Sequence, residues 1–478
     1  MPFSRVATPP VRAAVLAAAL LAGAAFVVAG VEAQPLESPF YDWDLERYRI
    51  LRPPEAPTGA MLPLPEIPED TDLPLSRASE ILMEGADVRR PVPVEESSGL
   101  RARDGVRLRA AIDGHVPFPH GLRLDLGGRF RIGEGNRSGG DWLERSLVWS
   151  RGRTEVRAGL TRLFWGDGNE GSLLLGRTAP AFDRLSIRTI RPWTFGGSRS
   201  AARFHASLFL GYLDERDRVV PYPLLHGQRL EWEPAGWAKL SLARTILFGG
   251  SGRTEKLTLR DIGDILLGRN ENRVGPRSAA DSDQKASIGL ELRTPREWLE
   301  GKWFEGARLF WEYGGEDSFQ GPLPTAVAHH YGLSALVAGW TVLAETAETW
   351  DDANDWYENH LVYGERDYYY RGYVMGHPMG GDAVSVHASL WSPPWNQNRA
   401  QLWWRLRTIH SPEPGAHRER SATLGGALRR NLDERTIAEA RFETSYAPDG
   451  EGDGHPDPPV AWRATIGLRR GFPSPWAR

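Results

Sequence analysis

From about residue 99 onward the chain alternates apolar and polar positions with a period of two. In Gly121–Gly133, Leu122, Leu124, Leu126, Phe130 and Ile132 fall on one side, and Arg123, Asp125, Arg129 and Arg131 fall on the other. A β-strand sends successive side chains to opposite faces, so this predicts a strand with one apolar and one charged face. The pattern returns in Val106/Leu108/Ala110/Ile112, Phe204/Ala206/Leu208/Leu210/Tyr212 and Ile288/Leu290/Leu292, then in Val384/Val386/Ala388/Leu390 and Trp462/Ala464/Ile466/Leu468. A soluble β-sandwich alternates too, but in strands of about five or six residues. These segments run to about ten and carry arginine on the polar side, as expected where apolar side chains meet lipid and charged ones line a wet lumen. Trp142, Trp149, Trp165, Trp193, Trp232, Trp237, Trp311, Trp391, Trp395, Trp403 and Trp404 cluster near segment ends, the place of interfacial aromatic girdles. The prediction is an all-β, transmembrane antiparallel β-barrel over residues 99–478 in the cell outer membrane. At about 20 residues per strand and connection it has about 16 to 18 strands, enclosing a lumen that wall side chains alone do not fill.

Three stretches depart from this texture. Residues 34–98 are rich in proline, which cannot donate to a sheet ladder, so they read as an extended periplasmic lead-in. Within them, Ser76 is placed to cap a short helix through Ala78, Ile81, Leu82 and Met83 to Gly85. Ile262, Ile265 and Leu266 have helical spacing and predict a small helix over Leu259–Leu267. Residues 1–33, with Arg5 and Arg12 ahead of an apolar run and Val31-Glu32-Ala33 at its end, predict a cleaved signal peptide.

Composition narrows the function. Mean hydropathy is −0.43, too low for a polytopic helical membrane protein. The absence of cysteine rules out disulfides and thiolate metal sites. Without Arg5, Arg12 and Glu32, 56 basic and 61 acidic residues remain, an acidic excess that argues against nucleic acid as a partner. Of the basic residues only Lys239, Lys256, Lys285 and Lys302 are lysine. Coding bias explains most of that; lumenal arginine would also offer paired donors to an acidic polymer.

Candidate chemistry is sparse. Gly166-Asp167-Gly168-Asn169-Glu170-Gly171 is a literal G-x-G-x-x-G, but the apolar run after it is too short to open the helix that dinucleotide binding needs, and Pro180 comes soon after. Its glycines are expected to shape a tight loop. Glu348, Asp351, Asp352 and Asp355 lack EF-hand spacing and read as a solvated acidic loop. His329-His330 has no zinc-motif partner, and no G-x-S-x-G occurs. Neither cofactor nor metal is expected, and the protein is expected not to be an enzyme. In residues 350–373, Trp356, Tyr357, Tyr368, Tyr369 and Tyr370 are interleaved with Asp355, Glu358, Asn359 and Asp367. Aromatic faces beside carboxylates and amides suit sugar rings and hydroxyls.

At these residues the sequence resembles the capsule assembly Wzi family of outer-membrane proteins. The run W-G-x-G-x-x-G-S-L-L-L stands at Trp165-Gly166-Asp167-Gly168-Asn169-Glu170-Gly171-Ser172-Leu173-Leu174-Leu175. Next in family order are Leu225-x-Gly227-x-Arg229-Leu230 with Pro234, then Leu242-Ala243-Arg244 leading into Gly249-Gly250-Ser251-Gly252-Arg253, then Gly315-Glu316-Asp317. Glu345-Thr346-x-Glu348-Thr349 and Tyr370-Arg371-Gly372-Tyr373-x-x-Gly376-His377 complete the set. The resemblance implies a barrel of about 18 strands with periplasmic helical elements. It would act as a lectin-like anchor that binds capsular or related extracellular polysaccharide non-covalently. Trp165, Asp167, Asn169, Glu316, Asp317, Tyr370, Arg371 and His377 are the candidate carbohydrate-binding residues. A diffusion channel or polysaccharide exporter of the same architecture is the alternative, and a surface hydrolase a third. The chain departs from the family pattern in its proline-rich lead-in and in Pro473–Arg478 beyond the last strand aromatic, Phe472.

Overall fold

The computed structural model describes residues 78–87, 92–93, 101–102, 105–133, 139–195, 202–253, 257–266, 281–295, 298–299, 303–316, 326–351, 354–358, 360–364, 366–410, 419–433, 436–447 and 460–471. The predicted signal peptide and most of the predicted lead-in lie outside the described residues. Eighteen strands form the wall: β1 Ala78–Asp87, β2 Gly105–Phe118, β3 Leu122–Gly133, β4 Gly139–Arg151, β5 Thr154–Thr161 and β6 Phe182–Thr189 come first. They continue with β7 Ala202–Tyr212, β8 Leu224–Ala235, β9 Ala238–Phe248, β10 Ser282–Arg293, β11 Phe304–Glu316 and β12 Ala326–Val337. The last six are β13 Trp340–Glu348, β14 Ala383–Trp391, β15 Asn398–Ile409, β16 Glu419–Asn431, β17 Thr436–Tyr446 and β18 Val460–Gly471. The sheet counts 19 strands, but Trp193–Phe195 continues β6 along the same neighbour, β7, leaving 18 staves. Each stave pairs antiparallel with the next, and β1 pairs with both β2 and β18. The ring is therefore closed, with no open edge.

The closing stave corrects one expectation. The segment predicted as a helix capped by Ser76 is strand β1, Ala78 facing Gly471 and Asp113 across its two ladders. Its apolar spacing fits either period, and the two neighbours waiting at the seam of the ring decide for the strand. The barrel thus begins before residue 99. The second predicted helix does form, as α1 Leu259–Leu266.

Burial alternates along the staves as the sequence predicts. In β7, Arg203, His205, Ser207 and Phe209 are buried, whereas Leu208, Leu210 and Tyr212 are exposed. The exposed set is apolar and faces outward. Trp142, Trp149, Trp193, Trp232, Trp237, Trp311, Trp395 and Trp404 belong to this outer surface. Trp165, Trp391 and Trp403 do not: they are buried inside, where Trp391 and Trp403 pack with Leu343 and Ala427. Parity explains the correction, since Trp403 shares its side of β15 with Gln401, also buried. The four tightest connections, 119–121, 152–153, 236–237 and 338–339, all lie at one end of the barrel. The two longest, 249–281 and 349–382, leave from the other. Short turns mark the periplasmic end of such barrels and long loops the extracellular end.

Candidate functional site

Two long loops from the extracellular end turn inward. The first, residues 162–181, carries the glycine-rich motif and has no regular structure of its own, so its buried amides must find partners elsewhere. Lumen-facing carboxylates provide them. Glu345 of β13 accepts the Asn169 N–H at 2.6 Å and the Glu170 N–H at 2.9 Å. Glu312 of β11 accepts the Leu173 N–H at 3.1 Å and the Ser172 hydroxyl at 3.4 Å. Lumenal cations take the carbonyls: Arg229 of β8 donates to Trp165 O at 2.7 Å, and Arg308 of β11 donates to Asp167 O. The motif's glycines answer to space. A Cβ on Gly168 would lie 2.0 Å from the His330 ring, and one on Gly171 would lie 2.6 Å from Pro378 and 2.7 Å from the His377 ring.

Charge fixes the same loop. Asp167 pairs with Lys239 of β9, which also reaches Glu291 at 3.3 Å. Glu170 accepts a two-pronged bond from Arg405 of β15, at 2.6 and 2.8 Å, and lies 3.1 Å from His387 Nδ1 of β14. Burial pushes the Glu170 carboxyl up, but the Arg405 guanidinium and His387 outweigh it and hold it well below the usual carboxylate range. Glu170 is thus a fixed anion.

The second loop, residues 349–382, packs on the first. Gly176 N–H donates to Met375 O at 2.6 Å, and the Thr178 hydroxyl donates to Val374 O at 3.3 Å. The Tyr357 hydroxyl donates to Leu173 O and accepts the His377 N–H at 2.9 Å. Trp165, Leu173, Leu174, Leu175, Trp356 and Tyr368 join one apolar core with Phe209 of β7, Ala243 of β9 and Ala328 of β12. Together the loops form a plug that touches every stave from β7 to β15.

A second latch holds this loop. Lys285 Nζ of β10 lies 2.7 Å from Asp283, 2.6 Å from Glu316 and 3.4 Å from Asp367, and 4.9 Å from the Tyr368 ring centre. Among the described residues these carboxylates are the trio close enough together to hold a cation, and the lysine already supplies the charge. Burial raises the Asp367 carboxyl to about 7; Lys285 opposes the rise and Asp283 adds to it.

The predicted sugar-binding residues therefore separate. Trp165, Asp167, Asn169 and His377 are plug residues, and Glu316 belongs to the wall latch. Asp317 lies outside the described residues. The buried Tyr370 ring packs 6.3 Å from Phe182, with the Arg371 guanidinium 5.2 Å from its centre. Arg371 is the exposed member of the set, at the extracellular rim. Its guanidinium meets Asp214 at 3.3 Å, and its N–H donates to Glu215 at 3.0 Å. Arg218 ties this rim to the plug by donating to the Asp367 and Tyr369 carbonyls while pairing with Glu215 at 3.1 Å. Asp214, Arg216, Asp217, Arg366 and Arg371 make the rim polar and open. Sequence reasoning missed Lys239, Lys285, Glu312, Glu345 and Arg405. The available signal was lysine surviving in an arginine-rich chain: the two described lysines are both buried latches.

Residues 128–442 match the family model of the capsule assembly protein Wzi. The chain belongs to that family. Its fold matches Wzi of Escherichia coli, reported as an outer membrane protein involved in group 1 capsule assembly and a carbohydrate-binding β-barrel. The two align over 84% of this chain and 86% of that one, with a TM-score of 0.63 and 16% identity. Acinetobacter baumannii OccAB2 aligns over 82% of this chain and 97% of its own, with a TM-score of 0.48 and 10% identity. Pseudomonas aeruginosa OccD3 does so over 92% and 100%, with the same TM-score and identity. Likeness at that level carries no weight for function. No curated protein matches the sequence. As a Wzi family barrel, the protein resides in the outer membrane, with the plug at its extracellular end.

Proposed function

We propose that this Wzi family member binds capsular or related extracellular polysaccharide at its extracellular face, non-covalently, and retains it on the cell. The observation that carries this reading is the plug. Loops long enough to form a lid or a pore lining are instead folded into the lumen against β7 to β15, pinned by buried ion pairs from β8, β9 and β15. A barrel occupied this way offers a surface. The E. coli relative's reported carbohydrate binding supports the same reading.

In this proposal Arg371, Asp214 and their rim neighbours make the sugar contacts, by hydrogen bonds from guanidinium and carboxylate to hydroxyl or acidic groups. Trp165, Asp167, Asn169, Glu316 and His377 act indirectly, by holding the platform under the rim. No bond is made or broken. The test is deletion of the gene: polysaccharide should move from the cells to the medium. Purified protein should bind the shed polymer, and Arg371→Ala should weaken that binding. Unchanged retention after deletion, with large ohmic conductance of the purified barrel in planar bilayers, would instead establish a channel.

A further inference from the structure

The small helix α1 does not sit on top of the barrel or in its lumen. It lies against the outer wall. In β9 the odd positions face inward: Lys239 meets Asp167, the Tyr368 hydroxyl donates to Thr245 at 2.8 Å, and Ala243 and Leu247 enter the plug core. Ile246 and Phe248 therefore point outward, where Leu240 and Leu242 lower on the same face are exposed. Yet Ile246 and Phe248 are 0% and 4% exposed, because Ile265 of α1 packs on them together with Leu224 and Leu257. Arg244, also on the outward face, fastens the helix by donating to Leu266 O at 3.2 Å. A reciprocal cap starts it: Asp261 N–H donates to the Thr258 hydroxyl oxygen at 3.2 Å, and Thr258 N–H donates to the Asp261 carboxylate at 2.8 Å.

Within the helix, Ile265 is the side chain used against the barrel. Leu259, Ile262 and Leu266 lie one and two turns apart on the adjoining face and are 89%, 36% and 40% exposed. Arg260, Asp261 and Asp264 occupy the opposite side. The apolar arc is thus wider than the contact it makes with protein, and its free part continues the barrel's own lipid-facing band. The row Tyr212–Leu224–Phe248 runs along the extracellular ends of β7, β8 and β9, and Tyr212 stacks on Tyr222 beside it, rings 6.1 Å apart. That is where an outer aromatic girdle belongs. With Arg260 against Asp261 and Asp264, the helix is not basic, so attraction to anionic headgroups does not supply its affinity.

We infer that α1 is an interfacial helix that seats Leu259, Ile262 and Leu266 in the acyl region of the outer leaflet, beside the barrel wall. It widens the protein's lipid footprint on the β8–β10 side and holds the base of the 249–281 loop at the membrane surface. The occupant is lipid because the arc is continuous with the exposed Leu240 and Leu242 band and its charges face away.

The chain has no native cysteine, so single labels are unambiguous. Nitroxides would be attached at Leu259→Cys, Ile262→Cys and Arg260→Cys of the full barrel in phospholipid vesicles, and their collision rates with oxygen and with a water-soluble nickel chelate compared. The expected result is a clear preference for oxygen at 259 and 262 and the reverse at 260. Equal nickel access at all three positions would place the helix in water and overturn the inference. Exclusion of both reagents at 259 and 262 would mean a protein covers the arc, and would overturn it as well. Leu242→Cys serves as the lipid-facing standard, and a two-state melt of each labelled protein in vesicles excludes misfolding.

Discussion

The inner and outer faces of the same staves obey different rules. On β9, Leu240 and Leu242 need only be apolar, because contact with acyl chains has no direction. One residue away, Lys239 must find Asp167 and Glu291, because a buried charge without a partner costs several kcal/mol. The outer face tolerates exchange among apolar side chains, whereas the inner face specifies one arrangement of two loops. A strand in this wall carries two codes at alternate positions, one for solvent and one for architecture.

The sharpest way to break that contrast is to strand a charge inside. Arg405→Ala leaves Glu170 buried without its main partner and should destabilise the plug by about 3–5 kcal/mol. It should be read as protease cleavage within residues 162–181 and as new conductance in planar bilayers, with the barrel still heat-modifiable on gels. Next comes a charge on the outside. Leu242→Arg should cost about 2–4 kcal/mol if it lies near mid-bilayer, seen as reduced folding into vesicles with no change in conductance.

Acidity separates the two anchors of the plug. The Glu170 carboxyl is held below its ordinary range, so its contribution is present above the usual glutamate pKa and is lost as pH falls. Asp367 is shifted up to about 7, so its contribution is whole below the ordinary aspartate range and is lost as pH rises through about 7. Hydrogen exchange should show protection around 367–377 declining as pH is raised through about 7, after correction for intrinsic rates, and Asp367→Asn should flatten that dependence. The smallest effect belongs to the rim. Arg371→Ala breaks an exposed pair with Asp214 worth about 0–1 kcal/mol, so the melting temperature should barely move while polysaccharide binding falls.

Much of the fold is legible in the sequence because lipid on one side and charge on the other impose a strict period of two. The alternation in Phe204–Tyr212 reappears as buried positions alternating with half-buried or exposed ones. The segment before Gly85 reads as a helix for want of a local signal to the contrary. Its partners are Gly105–Phe118 and Val460–Gly471, and no nearby residue announces them. The site is less legible still. The glycine-rich run is recognisable, but its glycines make room for His330 and His377, which come from β12 and the second loop. Trp403 reads as an interface residue, yet it lies under the Arg441 guanidinium inside the barrel, 4.2 Å from ring centre. Clustering near strand ends marks aromatic residues, but parity decides which way each one turns.

The ring shuts where its first and last staves meet, at β1 between β18 and β2, and none of the plug anchors among the described residues stands on those three. The arc from β7 to β15 can therefore cradle its two loops while the cylinder is still open. Threading them afterward through a finished tube is not required. The geometry lets the contents be packed before the lid of the box is nailed.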